Sequence, residues 1–255
     1  MPAASPYQTA WEWEWNYRLG GGAARARRVE KMSSRRRVQL FYDVLSPYSW
    51  VAFEVLCRYQ NKWKISLELR PFFLSGIMQG ADNRPPGVVP AKARYMGKYL
   101  RRLAEYFRIP LQTPSNVSEV LFVKGSLSAM RLLTATKVTS QEHVEVLSRQ
   151  LWKRIWGMDQ DISEERSLRE ACKASGIDQE MTDNLIGQIV QPEVKEELKR
   201  STQEALDLGA FGAPFIVVHV DGKPERFFGG DRFELIAHIL GEKWEGPLLD
   251  YAAKI

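Results

Sequence analysis

From Val38 to Asp43 the chain reads Val-Gln-Leu-Phe-Tyr-Asp, a short aromatic and β-branched run that predicts a buried strand. Ser46-Pro47 follows at once, and a proline directly after a serine is a helix-start signal. Trp50, Phe53 and Leu56, flanked by Val51 and Val55, then recur at helical spacing toward Asn61. Ile65 to Arg70 alternates with period two and predicts a second strand. Strand, helix, strand is a βαβ unit, which favours a parallel pair and a right-handed crossover.

The middle of the chain changes period. From about Pro90 to Leu208 only helical patterns occur, predicting helices near 91–108, 118–136, 141–156, 163–175, 178–190 and 192–208. Asp161-Ile162-Ser163 and Gly176 mark the start and stop of one of them. Met130, Leu132, Leu133, Leu147, Leu151, Trp152, Ile155 and Trp156 are expected to line the helical core. Strand signals return in Phe215-Ile216-Val217-Val218-His219-Val220, then the hairpin dipeptide Asp221-Gly222, then Glu225-Arg226-Phe227-Phe228. Asp231 is expected to N-cap a last helix over 232–240, with Phe233, Ile236 and Leu240 on one face. The order is βαβ, a helical block, then ββα. This is an α/β chain resembling a thioredoxin-like sheet interrupted by an inserted all-α domain. The expected division is a disordered basic extension over 1–37, a thioredoxin-like domain over 38–80 and 209–247, and an inserted helical domain over 81–208.

Charge changes this picture less than its total suggests. The net charge of +5 over 255 residues hints at an anionic macromolecular partner. Residues 1–37, however, hold eight basic side chains against Glu12, Glu14 and Glu30, and the remainder of the chain is balanced at 28 basic and 28 acidic. Nucleic-acid binding loses its compositional support. No apolar run approaches the roughly 18 residues of a spanning helix, so membrane insertion is not expected. The amino-terminal stretch contains Trp11-Glu12-Trp13-Glu14-Trp15, Gly20-Gly21-Gly22 and Arg35-Arg36-Arg37, with no apolar core of a secretory signal. Its arginine and serine content resembles a mitochondrial presequence, against which the three glutamates count; Met32 offers an alternative start. Two cysteines, Cys57 and Cys172, make no disulfide framework and point to a reducing compartment.

The candidate chemistry sits where the first helix begins. In thioredoxin-like folds two cysteines bracket a dipeptide there. Here the stretch is Ser46-Pro47-Tyr48-Ser49, with serine in both places. Disulfide exchange needs a protein thiolate and is removed, but the unpaired N–H groups and positive dipole end of the helix remain and can stabilise an anion. The thiol can then come from a ligand, and the Ser46 hydroxyl can donate to its sulfur and favour the thiolate. Phe211-Gly212-Ala213-Pro214-Phe215 supplies the partner loop. The matching proline of thioredoxin-like proteins is cis, which turns the preceding backbone, here that of Ala213, toward an extended peptide. Taken singly, Ser46 also reads as a simple cap and Pro214 as a strand-entry breaker.

These residues resemble a named family. Phe41-Tyr42-Asp43-Val44-Leu45-Ser46-Pro47-Tyr48-Ser49-Trp50 is similar to the start of the kappa-class glutathione transferases. Arg70-Pro71, Asn83-Arg84-Pro85-Pro86-Gly87, Lys124-Gly125-Ser126-Leu127-Ser128-Ala129-Met130-Arg131, Gly209-Ala210-Phe211-Gly212-Ala213-Pro214 and Phe228-Gly229-Gly230-Asp231-Arg232 extend the likeness in order to about Pro247. The resemblance implies a homodimer that conjugates glutathione, as co-substrate, to electrophiles in detoxification, with some peroxide reduction. It implies Ser46 as the catalytic serine, with Pro47 and Tyr48 completing the helix-start contact. Ala213, before Pro214, is implied to bind the cysteinyl backbone, Gly230 and Asp231 the γ-glutamyl end, and Asn83 and Lys92 the glycyl end. Three departures stand out. Gly230 occupies a position where the family often has serine, Ala213 is smaller than the familiar leucine and is expected to widen the pocket, and Ala253-Lys254-Ile255 resembles a peroxisomal tripeptide but ends in isoleucine where leucine is preferred. Mitochondrial or peroxisomal residence, or both, is the expected localisation.

Other signals carry less. His143, His219 and His238 are scattered without partners at ligand spacing, so no metal is expected. Cys57 and Cys172 fall inside helical patterns and read as inert packing residues. Rival functions are a glutathione-dependent isomerase of the hydroxychromene carboxylate type, which shares the serine, and a non-catalytic thiol-binding assembly factor. A redox oxidoreductase is disfavoured because neither cysteine is near Ser46.

Overall fold

The computed structural model describes residues 35–249. Met32 and the rest of the residues before Arg35, and the Ala253-Lys254-Ile255 terminus, lie outside the described residues.

The apolar runs form a four-stranded mixed sheet of order β2-β1-β3-β4, with β1 at Arg36–Tyr42, β2 at Ile65–Pro71, β3 at Phe215–Val220 and β4 at Lys223–Phe228. β1 pairs parallel with β2, Leu40 opposite Leu69, and antiparallel with β3, Leu40 opposite Ile216. β3 and β4 form the hairpin that Asp221-Gly222 predicts, and both residues take the positive φ (52° and 78°) that such a tight turn requires. As a central strand, β1 is buried on both faces. Val38, Leu40 and Tyr42 join the main core, while Phe41 meets Phe215, Val217, Phe72, Ile77, Ala205 and Ala210 on the opposite face.

The first helix, α1 (Pro47–Tyr59), starts where the Ser46-Pro47 signal places it and buries Trp50, Val51, Phe53, Val55, Leu56 and Tyr59. Then come α2 (Leu74–Gly80), α3 (Pro90–Phe107), the single turn α4 (Val117–Glu119), α5 (Leu127–Thr139), α6 (Val144–Gly157), α7 (Glu165–Ala174), α8 (Gln179–Gln188), α9 (Pro192–Asp207) and, after the hairpin, α10 (Phe233–Leu240). Residues 81–208 contribute helical elements only, yet Leu132, Leu147, Trp152 and Trp156 share one continuous core with α1 and the sheet. Among the described residues no helix is long and apolar enough to cross a membrane.

Five expectations need correction. The extension ends earlier than residue 37, because Arg36 and Arg37 already belong to β1, where the Arg37 guanidinium donates twice to Glu68 of β2 (2.7 and 2.8 Å). Asp43 lies beyond the strand rather than in it. The helix expected over 118–136 breaks: after α4 the chain widens through 120–124, with Gly125 N–H reaching back to the Val120 carbonyl (3.0 Å), and α5 restarts after Ser126. A helix not foreseen, α2, occupies Leu74–Gly80. Finally, Asp231 does not cap α10. Arg232 holds the cap position without a side-chain capping bond, and the Asp231 carboxylate faces Tyr99 instead.

Candidate functional site

Between β1 and α1 the chain turns within four residues. Ser46 N–H donates to the Asp43 carbonyl (3.0 Å), and the extended backbone of Ser46 (φ −90°, ψ 113°) presents its hydroxyl to the first helical turn. That oxygen accepts from Ser49 N–H (3.1 Å), so Ser46 is the N-cap of α1. It also donates to the Ala213 carbonyl across the molecule (3.3 Å). One side chain therefore both caps α1 and reaches across to the loop before Pro214. A hydroxyl that accepts a backbone N–H is polarised into a better donor, and its present acceptor sits at the long end of the hydrogen-bond range.

The peptide bond between Ala213 and Pro214 is cis, as the resemblance implies. It places the Ala213 carbonyl at Ser46 just before β3 begins at Phe215. Two tryptophans of the helical segment hold the same loop. Trp152 Nε1–H donates to the Ser46 carbonyl (3.2 Å) and Trp156 Nε1–H to the Val44 carbonyl (3.1 Å), both from buried rings on α6. The sequence reads these two as packing residues. They pack, and they also fix the turn that carries Ser46.

In front of Ser46 opens a cavity of about 360 Å³, within the range of small-molecule sites. Ser46, Pro47, Tyr48, Asn83 and Ala213 line it, together with apolar groups such as Leu74, Met78 and Trp156. Lys92 lies in an adjoining recess that shares Tyr48, Pro86 and Met96 with the cavity and adds Tyr95. Burial pushes the Tyr48 hydroxyl up to about 12, so it stays protonated at neutral pH. Asn83 spends one amide N–H on the Phe211 carbonyl (2.6 Å) and accepts from Arg84 N–H (2.8 Å), joining the loop after α2 to the loop before Pro214. Gly230 and Asp231 stand outside the cavity lining, at the turn between β4 and α10, where the Asp231 carboxylate accepts from the Tyr99 hydroxyl (3.2 Å). Tyr99 in turn lies against Tyr48, ring centroids 6.2 Å apart.

Gly230 is glycine for a reason of space. A Cβ there would lie 2.7 Å from the Tyr48 carbonyl oxygen and 3.6 Å from Val51. Gly230→Ser is therefore expected to displace the first turn of α1 and to cost about 1–3 kcal/mol, as overpacking does. Thermal unfolding of the variant measures this; an unchanged Tm would show that the α1 start yields freely.

Asp43 went unnoticed as a functional candidate. It is fully buried, and its carboxylate accepts from Leu45 N–H (2.8 Å), Leu74 N–H (2.9 Å) and the Ser126 hydroxyl (2.9 Å). Burial raises its pKa from 3.8 to about 6, against the pull of those three bonds. An acid directly after an apolar strand is the available signal. The cysteines are elsewhere: Cys57 is within α1 and Cys172 within α7, both unpaired. Burial pushes the Cys57 thiol well up and that of Cys172 up to about 11, so neither supplies a thiolate near neutral pH. Among the described residues no group of three or more His, Cys, Asp or Glu is placed to hold a metal ion.

The chain is similar to known proteins over most of its length. Residues 37–241 match the family described as DSBA-like thioredoxin domain. Glutathione S-transferase kappa 1 from Homo sapiens is 49% identical over 213 residues, covering 84% of this chain and 94% of that protein. The protein of the same name from Caenorhabditis elegans is 35% identical over 206 residues, covering 80% and 90%. Among solved structures, 2-hydroxychromene-2-carboxylate isomerase superposes with a TM-score of 0.64 at 19% identity, covering 80% of this chain and 94% of that one, a likeness of fold. With its serine at the start of α1 and its cis proline facing it, the chain belongs to the kappa-class glutathione S-transferases of the DSBA-like thioredoxin family.

Proposed function

We propose that this protein binds glutathione in the cavity before Ser46, holds it as the thiolate and transfers it to small electrophiles. The observation that carries the reading is the Ser46 hydroxyl, which caps α1, faces the cavity and is bonded to the backbone of the residue before a cis proline. Binding exchanges partners. The cysteinyl N–H of glutathione takes the Ala213 carbonyl, which releases the Ser46 hydroxyl to donate to the sulfur while it still accepts from Ser49 N–H. The hydrogen bond and the positive end of α1 both favour the charged sulfur. The thiol proton leaves to solvent, the thiolate attacks the electrophilic carbon, and the new C–S bond forms as the leaving group departs with its electron pair. With a peroxide instead, the same sulfur would be oxidised and a second glutathione would complete the disulfide.

The remaining assignments belong to the same reading. Pro47 and Tyr48 shape the helix-start contact, and Asn83 and Lys92 meet the glycyl carboxylate. Gly230 offers its amide and Asp231 its carboxylate to the γ-glutamyl end, where an ammonium suits the acid. The protein works as a homodimer in detoxification, in mitochondria, peroxisomes or both. Imaging of the chain carrying a fluorescent tag placed internally, so that both ends stay free, tests the compartment.

Turnover assays test the reaction. The purified protein is expected to conjugate glutathione to an electrophilic aryl halide with saturation in both substrates. Turnover of a hydroxychromene carboxylate without conjugation would favour an isomerase, and glutathione binding with neither activity would favour a thiol-binding assembly factor.

A further inference from the structure

Asp43 lies three residues ahead of Ser46, behind the cavity rather than in its lining. Its three donors come from three separate walls. Leu45 belongs to the loop that carries Ser46 and itself lines the cavity. Leu74 opens α2, which turns Leu74, Ser75 and Met78 toward the cavity. Ser126 precedes α5 and follows the widened turn that supplies Leu121 and Phe122. Near this point Phe72 N–H donates to the Tyr42 carbonyl (3.0 Å) and Val44 N–H reaches Met130 Sδ on α5 (3.4 Å), but it is the Asp43 carboxylate that bonds all three walls at once.

We infer that Asp43 is a positioning residue: its carboxylate clamps the Ser46 loop, the start of α2 and the start of α5 together and so sets the shape of the cavity. For the identity of the ligand the inference rests on the transferase reading; the clamp itself is a property of the free protein. The chemistry of the side chain is specific. Oδ1 serves Leu45, and Oδ2 serves both Leu74 and Ser126. An asparagine of the same shape has a single acceptor oxygen. Facing Leu45, it sets an NH2 against the Leu74 N–H; facing Leu74 and Ser126, it sets the NH2 against the Leu45 N–H. Either way at least one wall loses its bond to this side chain.

The test compares wild type with Asp43→Asn, Ser126→Ala and Ser126→Thr in the full chain. Amide hydrogen exchange of the free proteins is read at Leu45 and Leu74, and glutathione affinity and the titration of bound glutathione are read alongside. In Asp43→Asn, exchange at one of the two amides is expected to rise by about tenfold, the effect of losing one buried hydrogen bond. Glutathione binding is expected to weaken by about tenfold, and the bound thiol to titrate at higher pH. Ser126→Ala removes one donor only, so it carries the test should Asp43→Asn fail to fold; it moves affinity and titration the same way by a smaller factor. Ser126→Thr keeps the hydroxyl and restores wild-type behaviour. Unchanged exchange at both amides in Asp43→Asn, or unchanged affinity and titration in Ser126→Ala where Asp43→Asn does not fold, overturns the clamp. Faster exchange with wild-type affinity and titration overturns its role in the site. Faster exchange in a protein whose wild type binds no glutathione overturns the transferase reading and leaves the clamp supported.

Discussion

Ser46→Ala is expected to lower kcat/KM for glutathione conjugation by about 10- to 150-fold, the range for a lost hydrogen bond to a charged group. The titration of enzyme-bound glutathione should move up by about one to two pH units, the equivalent of that loss. Two effects must be separated, because Ser46 is also the cap of α1, bonded to Ser49 N–H. Loss of a cap costs about 0.5–2 kcal/mol of stability and does not depend on the charge of the ligand. Loss of a donor to sulfur depends on that charge. The variant should therefore fall furthest behind near neutral pH and recover much of the gap at high pH, where bound glutathione ionises without help. Ultraviolet titration of the bound thiolate and the pH profile of kcat/KM measure both quantities. A variant that is less stable but titrates glutathione as wild type does would reduce Ser46 to its capping role.

The parts of the site that sequence alone makes legible are those with local causes. Ser46-Pro47 fixes a helix start because a hydroxyl can satisfy an orphan N–H and proline lacks one to satisfy. Phe211 to Phe215 brings a proline to the mouth of a strand. The hairpin follows from Asp221-Gly222, which tolerate positive φ, and the two halves of the sheet follow from two short apolar units at opposite ends of the chain. What escaped has long-range causes. α2 spans Leu74–Gly80 with Gly76 inside it and no side-chain cap. It forms because Asp43 accepts from Leu74 N–H, Thr202 accepts from Phe73 N–H (3.0 Å) and Ile77 packs against Ala205. The break after residue 124 escaped because apolar spacing continues through Gly125, whose φ of +64° is not visible in a periodicity. Asp231 has the composition of a cap but is drawn away by Tyr99, 132 positions earlier. Trp152 and Trp156 touch the Ser46 turn across 106 and 112 residues, so only their burial could be inferred from α6.

The stability of the protein should carry the mark of Asp43 as the pH changes. Burial holds its folded-state pKa near 6, above the ordinary 3.8. Between those values the folded chain keeps a proton that the unfolded chain has released, so its stability falls as pH rises. The favourable contribution of the protonated acid is complete below about pH 4 and is lost as pH passes 6. A gap of about two pH units corresponds to about 3 kcal/mol. The difference from Asp43→Asn isolates this contribution and is the quantity to measure. Denaturant unfolding of both proteins from pH 4 to 7.5 should show the variant gaining on wild type by about that amount. A difference that stays flat across the window would mean that Asp43 ionises in the folded protein as easily as in the unfolded chain. The three accepted bonds, not the burial, explain why an acid stands there. A neutral side chain would avoid a buried charge beside the apolar strand, but only a carboxylate offers enough acceptor capacity for Leu45, Leu74 and Ser126 together. Near neutral pH the folded protein thus gives up stability at one buried charge and gains a cavity whose three walls keep their places around Ser46.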